Sequence, residues 1–161
     1  MLLAERVASR LAMTYGPDPW QIARGMELPV FRRPLPPAAR EVYFEFGNEP
    51  GDRGLVVSAE ADPREARELV AHGLGHHCLH VGNRVTSPAR RLWTGRYESE
   101  ADVFAACLLI PTGQLRRALN RMDEPSTWEL AEDFDVSFEL VRRRLALLET
   151  KIETESLTRI G

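Results

Sequence analysis

The chain has 161 residues, the length of one domain or of one domain with a small appendage. Its composition, 43% hydrophobic and 28% charged residues, is typical of a globular protein with enough apolar material for a core. A net charge of -3 argues against a protein that coats nucleic acid. No run in the sequence approaches the roughly 18 apolar residues that span a bilayer.

The first residues and the two cysteines predict a cytoplasmic protein. Glu5, Arg6 and Arg10 interrupt the apolar residues near the start, so this stretch lacks the apolar core of a signal peptide. In a cytoplasm of the bacterial type, the thiols of Cys78 and Cys107 are expected to be reduced.

The hydrophobic pattern changes from helical to extended within the first half of the chain. Residues 2–14 predict an amphipathic helix, and a short helix is expected from Asp18, as its N-cap, and Pro19 to about Met26. The runs LPVFRR, EVYFEFG and GLVVSA predict three strands, the last two joined by the hairpin loop GNEPGDRG. We therefore expect an α+β fold in which a small three-stranded antiparallel sheet packs on helices.

The helical period returns at Asp62, which can cap a helix that carries the stretch VAHGLGHHCLH. An irregular loop is predicted over residues 81–95. The run YESEADVFAACLLI then predicts a helix that is apolar after its acidic first turn, and Pro111 ends it.

The remainder is predicted to be short helices that begin at Thr112, at Ser126 and at Ser137; Ser126 forms a capping box with Glu129. The predicted organisation is a first domain over residues 1–120, a helix-turn-helix-like extension over 121–150 and a frayed tail over 151–161.

All four histidines of the chain lie between positions 72 and 80. His72 and His76 are one helical turn apart and can share one metal ion. His80 is about 12 Å from His72 along the axis, too far for two bonds of about 2.1 Å to one zinc ion. The side chain of His77 points about 100° away from that of His76. The sequence therefore predicts that His72 and His76 are the only ligands from this helix.

Candidates for a third ligand lie at the start of the next helix, because a catalytic zinc site has three protein ligands. Glu98 and Asp102 share one helical face, which suits one carboxylate on the metal and a second that accepts the other ring N–H of a ligating histidine. Glu100 is the competitor, but it lies about 200° from Glu98, so only one of these two is expected to face inward. Two histidines alone are also typical of a polar helix surface; the acidic turn about 20 residues later favours the metal site.

These residues resemble the ImmA/IrrE family of zinc peptidases, whose pattern is H-E-L-G-H, a further H, then E-x-x-A-[ND]-x-F-A and L-L-x-P. This sequence has HGLGHHCLH followed by ESEADVFAACLLIP. The second block matches at Glu98, Ala101, Asp102, Phe104, Ala105, Leu108, Leu109 and Pro111. The resemblance covers roughly residues 1–120, and LAEDFDVSFELVRRRL looks like the helix-turn-helix-like ending common in such proteins.

The resemblance implies a gluzincin-like site in which His72, His76 and Glu98 bind Zn²⁺ and Asp102 supports the ligands from the surrounding shell. It also implies a protein partner, a helix-turn-helix repressor that is cut at one peptide bond.

Gly73 stands where the family pattern has glutamate. In H-E-x-x-H hydrolases this glutamate accepts a proton from the attacking water and later donates it to the leaving amine, help worth about 10² to 10⁴-fold in rate. Glu100 could substitute only if its helix is rotated, and Glu68 is a turn too far back. The sequence therefore predicts a metal site with weak or lost hydrolysis. Gly75 matches the family pattern and is expected to permit close packing.

Two alternative functions stay open at this point. One is a catalytically inactive relative that serves as a protein-binding or sensing module, and the other is a transcription regulator that contacts DNA through residues 126–148. Residues 112–161 contain 8 basic and 10 acidic residues, which argues against phosphate binding. Arg90, Arg91 and Arg96, around Trp93, could contact an acidic partner or be solvated.

Overall fold

The computed structural model describes residues 2–36, 39–47, 49, 51–80 and 91–158. For residues 91–94 and 151–158 it describes the backbone only. Arg90, one of the three arginines considered as contacts for an acidic partner, therefore lies outside the described residues.

Within the described residues, seven helices and three strands follow one another in the order that the hydrophobic pattern predicts. The helices are α1 Leu3–Tyr15, α2 Pro19–Gly25, α3 Pro63–Leu79, α4 Arg91–Leu109, α5 Thr112–Arg121, α6 Thr127–Phe134 and α7 Phe138–Thr158. The strands are β1 Val30–Arg33, β2 Glu41–Glu45 and β3 Arg53–Ser58. The α+β class is confirmed.

The predicted helix caps are present because a side-chain oxygen satisfies a backbone N–H group in each first turn. Asp18 accepts from the backbone of Trp20, and Asp62 accepts from that of Glu65. Ser126 forms the predicted capping box that begins α6.

The sheet has the strand order β1-β3-β2 and is mixed. β2 and β3 form the predicted antiparallel hairpin, with Tyr43 opposite Leu55. The expectation of a fully antiparallel sheet is wrong for the other pair, because β1 runs parallel to β3, with Val30 beside Leu55. The chain leaves β1 and crosses to the far edge of the sheet before β2 begins, so β1 meets β3 rather than its neighbour in sequence.

The core lies around α3, which packs against the sheet on one side and α4 on the other. Leu55 and Val57 from the central strand are fully buried, as are Leu74 of α3 and Phe104 of α4. Such burial contributes about 1.5–3 kcal/mol for each large apolar side chain. Helix α3 is therefore held at a fixed distance from both the sheet and α4, and it is the helix that carries the histidines.

Helix α4 begins earlier than the sequence predicts. The loop expected over residues 81–95 is helical from Arg91 onward, while residues 81–90 lie outside the described part of the chain. Gly95 therefore lies inside a helix and not in the predicted loop. A glycine inside a helix costs only about 1 kcal/mol relative to alanine, which the buried second half of α4 offsets.

Helix α7 packs on the preceding helices through hydrogen bonds to charged side chains. Glu68 of α3 accepts a 2.8 Å hydrogen bond from the hydroxyl of Ser137. Buried Arg144 of α7 donates to the carbonyl of Ile110 at 2.8 Å and to the hydroxyl of Thr112 at 2.5 Å. Helix α7 continues to Thr158, into the tail that the sequence predicts to be frayed.

No helix in the described part of the chain combines the length and apolar character needed to cross a membrane.

Candidate metal centre

Helix α3 presents His72, His76 and His80 as a row, because residues four apart lie on one helical face. The ring centroids of successive histidines are 4.7 Å and 5.3 Å apart. His77 points to the sheet instead, where its Nδ1 lies 3.1 Å from the hydroxyl of Tyr43. Burial lowers the pKa of His77. The fourth histidine therefore belongs to the packing of α3 on the sheet.

Glu98 of α4 lies against the first two histidines of the row. Its two carboxylate oxygens are 3.6 Å from Nε2 of His72 and 3.5 Å from Nε2 of His76. These distances exceed the 2.7–3.2 Å of a normal N–H···O hydrogen bond. They are close to the roughly 3.4 Å that separates two ligand atoms on tetrahedral zinc with bonds of about 2.0–2.1 Å.

Glu41, at the start of β2, is a site residue that the sequence analysis did not identify. Its Oε1 atom lies 2.8 Å from Nδ1 of His72, and the side chain is only 11% exposed. Burial by itself lowers the pKa of His72, but the hydrogen bond that its ring donates to Glu41 and the charges of the surrounding carboxylates raise this pKa overall. The sequence feature that could have identified Glu41 is its position two residues before Tyr43, which places both side chains on one face of the strand. Tyr43 packs against α3.

Glu41, His72 and His76 also form a group that could hold a metal ion, since each offers one ligand atom within 4.8 Å of the others. The 2.8 Å contact between Glu41 and His72 is, however, shorter than the roughly 3.4 Å expected between two ligands of one zinc ion. We therefore assign Glu41 as the acceptor of the Nδ1–H group of His72. That assignment leaves Nε2 of His72 facing Glu98.

Asp102 does not contact the ring nitrogen for which the sequence analysis considered it. Its Oδ1 lies 3.4 Å from Nε2 of His72, on the same side as Glu98. Its other oxygen forms an ion pair with Arg143 of α7. The role of accepting the remaining N–H of His72 is taken by Glu41.

His80 and Glu100 extend the site beyond the predicted set. Nδ1 of His80 lies 3.2 Å from Nδ1 of His76, and its Nε2 lies 3.0 Å from a carboxylate oxygen of Glu100. The expectation that only one of Glu98 and Glu100 could face inward is therefore wrong. His80 is the C-cap residue of α3, one turn beyond His76, so the row of histidines is long enough to meet both carboxylates of α4.

Gly73 lies against the central strand rather than beside open space. A Cβ atom at this position would lie 2.4 Å from Cδ1 and 2.6 Å from Cδ2 of Leu55, which is fully buried. Gly75 lies equally close to α4: its Cβ would be 2.8 Å from the Cα atom of Ala101. The close packing expected at Gly75 is therefore present. The place where the family pattern puts a glutamate side chain is occupied by leucine.

A cavity of about 510 Å³ adjoins the metal centre between α4 and α7. Glu98, Asp102 and Arg143 contribute its charged lining, and Val103 and Leu147 contribute apolar lining. Glu98 is 52% exposed, so the site can be reached from solvent on this side.

Two comparisons with known proteins found similar proteins. The family described as the IrrE N-terminal-like domain, a family of metal-dependent peptidases, matches residues 25–146. A solved structure titled "Mycobacterium tuberculosis transcriptional regulator" superposes with a TM-score of 0.63 at 24% sequence identity. The alignment covers 89% of this chain and 45% of that one, so this chain spans about half the length of the neighbour and shares its fold. No curated protein matches the chain.

The family match runs through the sheet, through both helices that carry the metal centre and into α7. It covers well over half of the sequence, including His72, His76, Glu98 and Asp102. The chain therefore belongs to the ImmA/IrrE family, to which its sequence motifs already pointed.

Proposed function

We propose that this chain is a zinc-binding protein of the ImmA/IrrE type that acts on a helix-turn-helix repressor, with peptide-bond hydrolysis weak or lost. The observation that carries the proposal is the position of Leu55, whose Cδ1 would lie 2.4 Å from a Cβ atom at Gly73, next to side chains that could bind a metal ion. The metal centre supports binding, and the glycine contact argues against efficient catalysis.

The donor set suits a divalent cation. Two imidazoles face the carboxylate of Glu98, and Glu41 and Asp102 add negative charge around them. One oxygen of Glu41 is buried without a hydrogen-bond partner, a costly arrangement that a nearby cation would stabilise. We assign His72, His76 and Glu98 as the zinc ligands. A zinc ion bound there supplies Lewis-acid polarisation of a substrate carbonyl.

Hydrolysis also needs a group that accepts the proton of the attacking water, and the residues of α3 do not supply it. Gly73 has no side chain, and Leu55 fills the adjoining space with hydrocarbon. The absence of a positioned base lowers the rate of hydrolysis by about 10² to 10⁴-fold. We therefore expect slow cleavage or none.

The two carboxylates that the sequence offers as substitutes are engaged elsewhere. Glu68 binds the backbone and hydroxyl of Ser137 at the start of α7. Glu100 holds His80 at 3.0 Å and Arg96 at 2.8 Å. These contacts favour weak or lost hydrolysis over the alternative that Glu68 or Glu100 replaces the missing base.

The alternative of an inactive module that binds or senses a partner follows from the same observations. The cavity beside Glu98 supports it, because this surface is open to a polypeptide whether or not cleavage occurs. It differs from the leading proposal only in the turnover of the partner.

The arginines of α7 argue against DNA binding, although the structural neighbour is titled a transcriptional regulator. Arg144 is buried, Arg143 pairs with Asp102, and Arg142 pairs with Glu139 of its own helix. Nonspecific DNA binding requires cationic side chains that are free to neutralise phosphates. Duplex binding at low salt would contradict this interpretation.

The proposal is tested with metal analysis and a cleavage assay. We expect about one zinc ion per purified chain. We also expect the native chain to cleave little of a helix-turn-helix repressor whose gene lies beside its own. Gly73→Glu together with Leu55→Ala should restore cleavage, while Leu55→Ala alone, the matched control, should not.

Three outcomes would overturn parts of the proposal. A chain without stoichiometric zinc or another divalent ion refutes the metal site. Rapid cleavage by the native chain refutes the loss of activity. Retained binding of the repressor without cleavage, in every variant, would favour the sensing module.

A further inference from the structure

A chain of hydrogen bonds connects Glu100 to one of the proposed zinc ligands. Glu100 contacts Nε2 of His80 at 3.0 Å, and Nδ1 of His80 contacts Nδ1 of His76 at 3.2 Å. His80 is 1% exposed, and the ring of Tyr97 packs against it with centroids 4.3 Å apart. Arg96 donates to the other oxygen of Glu100 at 2.8 Å. Each group in this chain is therefore fixed by a partner.

The positions of the protons in this chain follow from what each group can donate. A carboxylate only accepts hydrogen bonds, so Nε2 of His80 donates to Glu100. A neutral imidazole carries one N–H, which makes Nδ1 of His80 an acceptor. The contact between the two Nδ1 atoms then requires that Nδ1 of His76 donates. Nε2 of His76 is left with its lone pair, directed at Glu98.

His72 reaches the same state through a different partner. Glu41 accepts from Nδ1 of His72, so Nε2 of this ring also has its lone pair on the side of Glu98. The sheet orients one ligand, and the end of α3 together with α4 orients the other. Two separate sets of hydrogen bonds thus direct the Nε2 atoms of His72 and His76 toward Glu98.

We propose that His80 and Glu100 are positioning residues that hold His76 in the tautomer and ring orientation needed to bind metal through Nε2. The inference rests on the proposed metal-binding function and adds the residues that prepare one ligand. Neither residue would contact a bound ion, because His76 and Glu100 occupy both nitrogens of His80, while His80 and Arg96 occupy the oxygens of Glu100. Partners of this kind, behind a ligand, are typically worth 10- to 100-fold in metal affinity.

The first test is a long-range ¹H–¹⁵N correlation spectrum of the histidine rings in the metal-free, full-length protein, recorded at a pH high enough for all four rings to be neutral. We expect the Nδ1–H tautomer for His72 and His76 and the Nε2–H tautomer for His80. In His80→Phe, His76 should become a mixture of tautomers while His72 is unchanged. His77→Phe, which removes the neighbouring histidine that faces Tyr43, is the matched control and should leave His76 unchanged.

The second test measures zinc and cobalt affinity by competition with a chromophoric chelator. We expect His80→Phe to weaken binding 10- to 100-fold and His77→Phe to change it less than 3-fold. Glu100 is 37% exposed, so its variants provide a test that does not depend on replacing a buried ring. Glu100→Leu should weaken binding several-fold, whereas Glu100→Gln, which keeps an acceptor oxygen, should retain near-native affinity.

Failures of the inference and of the metal site give different results. If the native chain binds zinc and His80→Phe leaves both the His76 tautomer and the affinity unchanged, the positioning role is refuted and the metal site stands. Equal effects of Glu100→Leu and Glu100→Gln would also refute it. A native chain that binds no zinc refutes the proposed function, whichever tautomers the metal-free spectra show.

Discussion

The contact between Gly73 and Leu55 leads to a quantitative prediction for Gly73→Ala. Replacing a glycine inside a helix by alanine normally stabilises a protein by about 1 kcal/mol. At Gly73 the new methyl group would lie 2.4–2.6 Å from both terminal carbons of Leu55, which lies in the core with no exposed surface. Overpacking of this kind costs about 1–3 kcal/mol. We therefore expect Gly73→Ala to lower the free energy of unfolding by about 0–2 kcal/mol.

Gly95 is the matched control, because it lies in helix α4 and a Cβ atom there would have no neighbour within 4 Å. Gly95→Ala should stabilise the protein by about 1 kcal/mol. The difference between the two variants then measures the overpacking, about 1–3 kcal/mol. Urea denaturation followed by far-ultraviolet circular dichroism gives both free energies, provided that the slopes with denaturant agree.

A double-mutant cycle tests whether Leu55 is the residue responsible. Leu55→Ala alone should cost about 2–5 kcal/mol, because it leaves a cavity in the core. In the Gly73→Ala background the cost should be smaller by about 0.5–3 kcal/mol, since the added methyl group occupies part of that cavity. Equal stabilisation by Gly73→Ala and Gly95→Ala, or additive effects in the cycle, would refute the reasoning. Either result would also show that Leu55 does not exclude a side chain at position 73, so that Gly73→Glu alone could restore catalysis.

Three further predictions use other parts of the molecule. Arg144→Ala should lower the free energy of unfolding by about 3–5 kcal/mol, because it removes a buried cation from its acceptors. Arg142 is exposed, so Arg142→Ala should change this free energy by less than about 1 kcal/mol. Similar urea midpoints for the two variants would contradict this prediction. Removal of zinc by a chelator should lower the melting temperature, measured by differential scanning fluorimetry, by several degrees. The reason is that zinc at 100 times its Kd stabilises the folded protein by about 2.7 kcal/mol. An unchanged melting temperature would argue against a zinc site in the folded state. Burial raises the pKa of Tyr43 to about 12, so the stability that its neutral phenol contributes is present below about pH 10 and is lost as the pH rises through about 12. Absorbance at 295 nm should show one of the three tyrosines ionising late, and Tyr43→Phe should remove that step; three coincident ionisations would show the phenol to be accessible.

Local sequence signals accounted for most of the elements of the fold. Asp18, Asp62 and Ser126 begin helices in the structure as their capping patterns predict, because a cap depends on residues only two or three positions away. The β2–β3 hairpin is likewise a local feature. The parallel pairing of β1 with β3 depends on a crossover between distant segments, and no local pattern specifies it.

The metal centre divides in the same way. The spacing of His72 and His76 predicted that both rings share one helical face, because helical periodicity fixes which side chains lie together. In the structure the carboxylate of Glu98, from the second motif, lies 3.6 Å and 3.5 Å from these rings. Glu41, from β2, could not be predicted, since its place beside His72 depends on how the sheet packs on α3. Only tertiary structure also showed that Glu100 reaches His80.

Gly73 shows the limit most clearly. The sequence by itself determined that the glutamate of the family pattern is missing, and with it the proton acceptor on α3. Only the tertiary structure decided what takes its place, because the side chain that fills this volume comes from the central strand, 18 residues earlier in the chain. Helical periodicity determines the direction in which a residue faces, while close packing between elements determines whether another side chain can fit there.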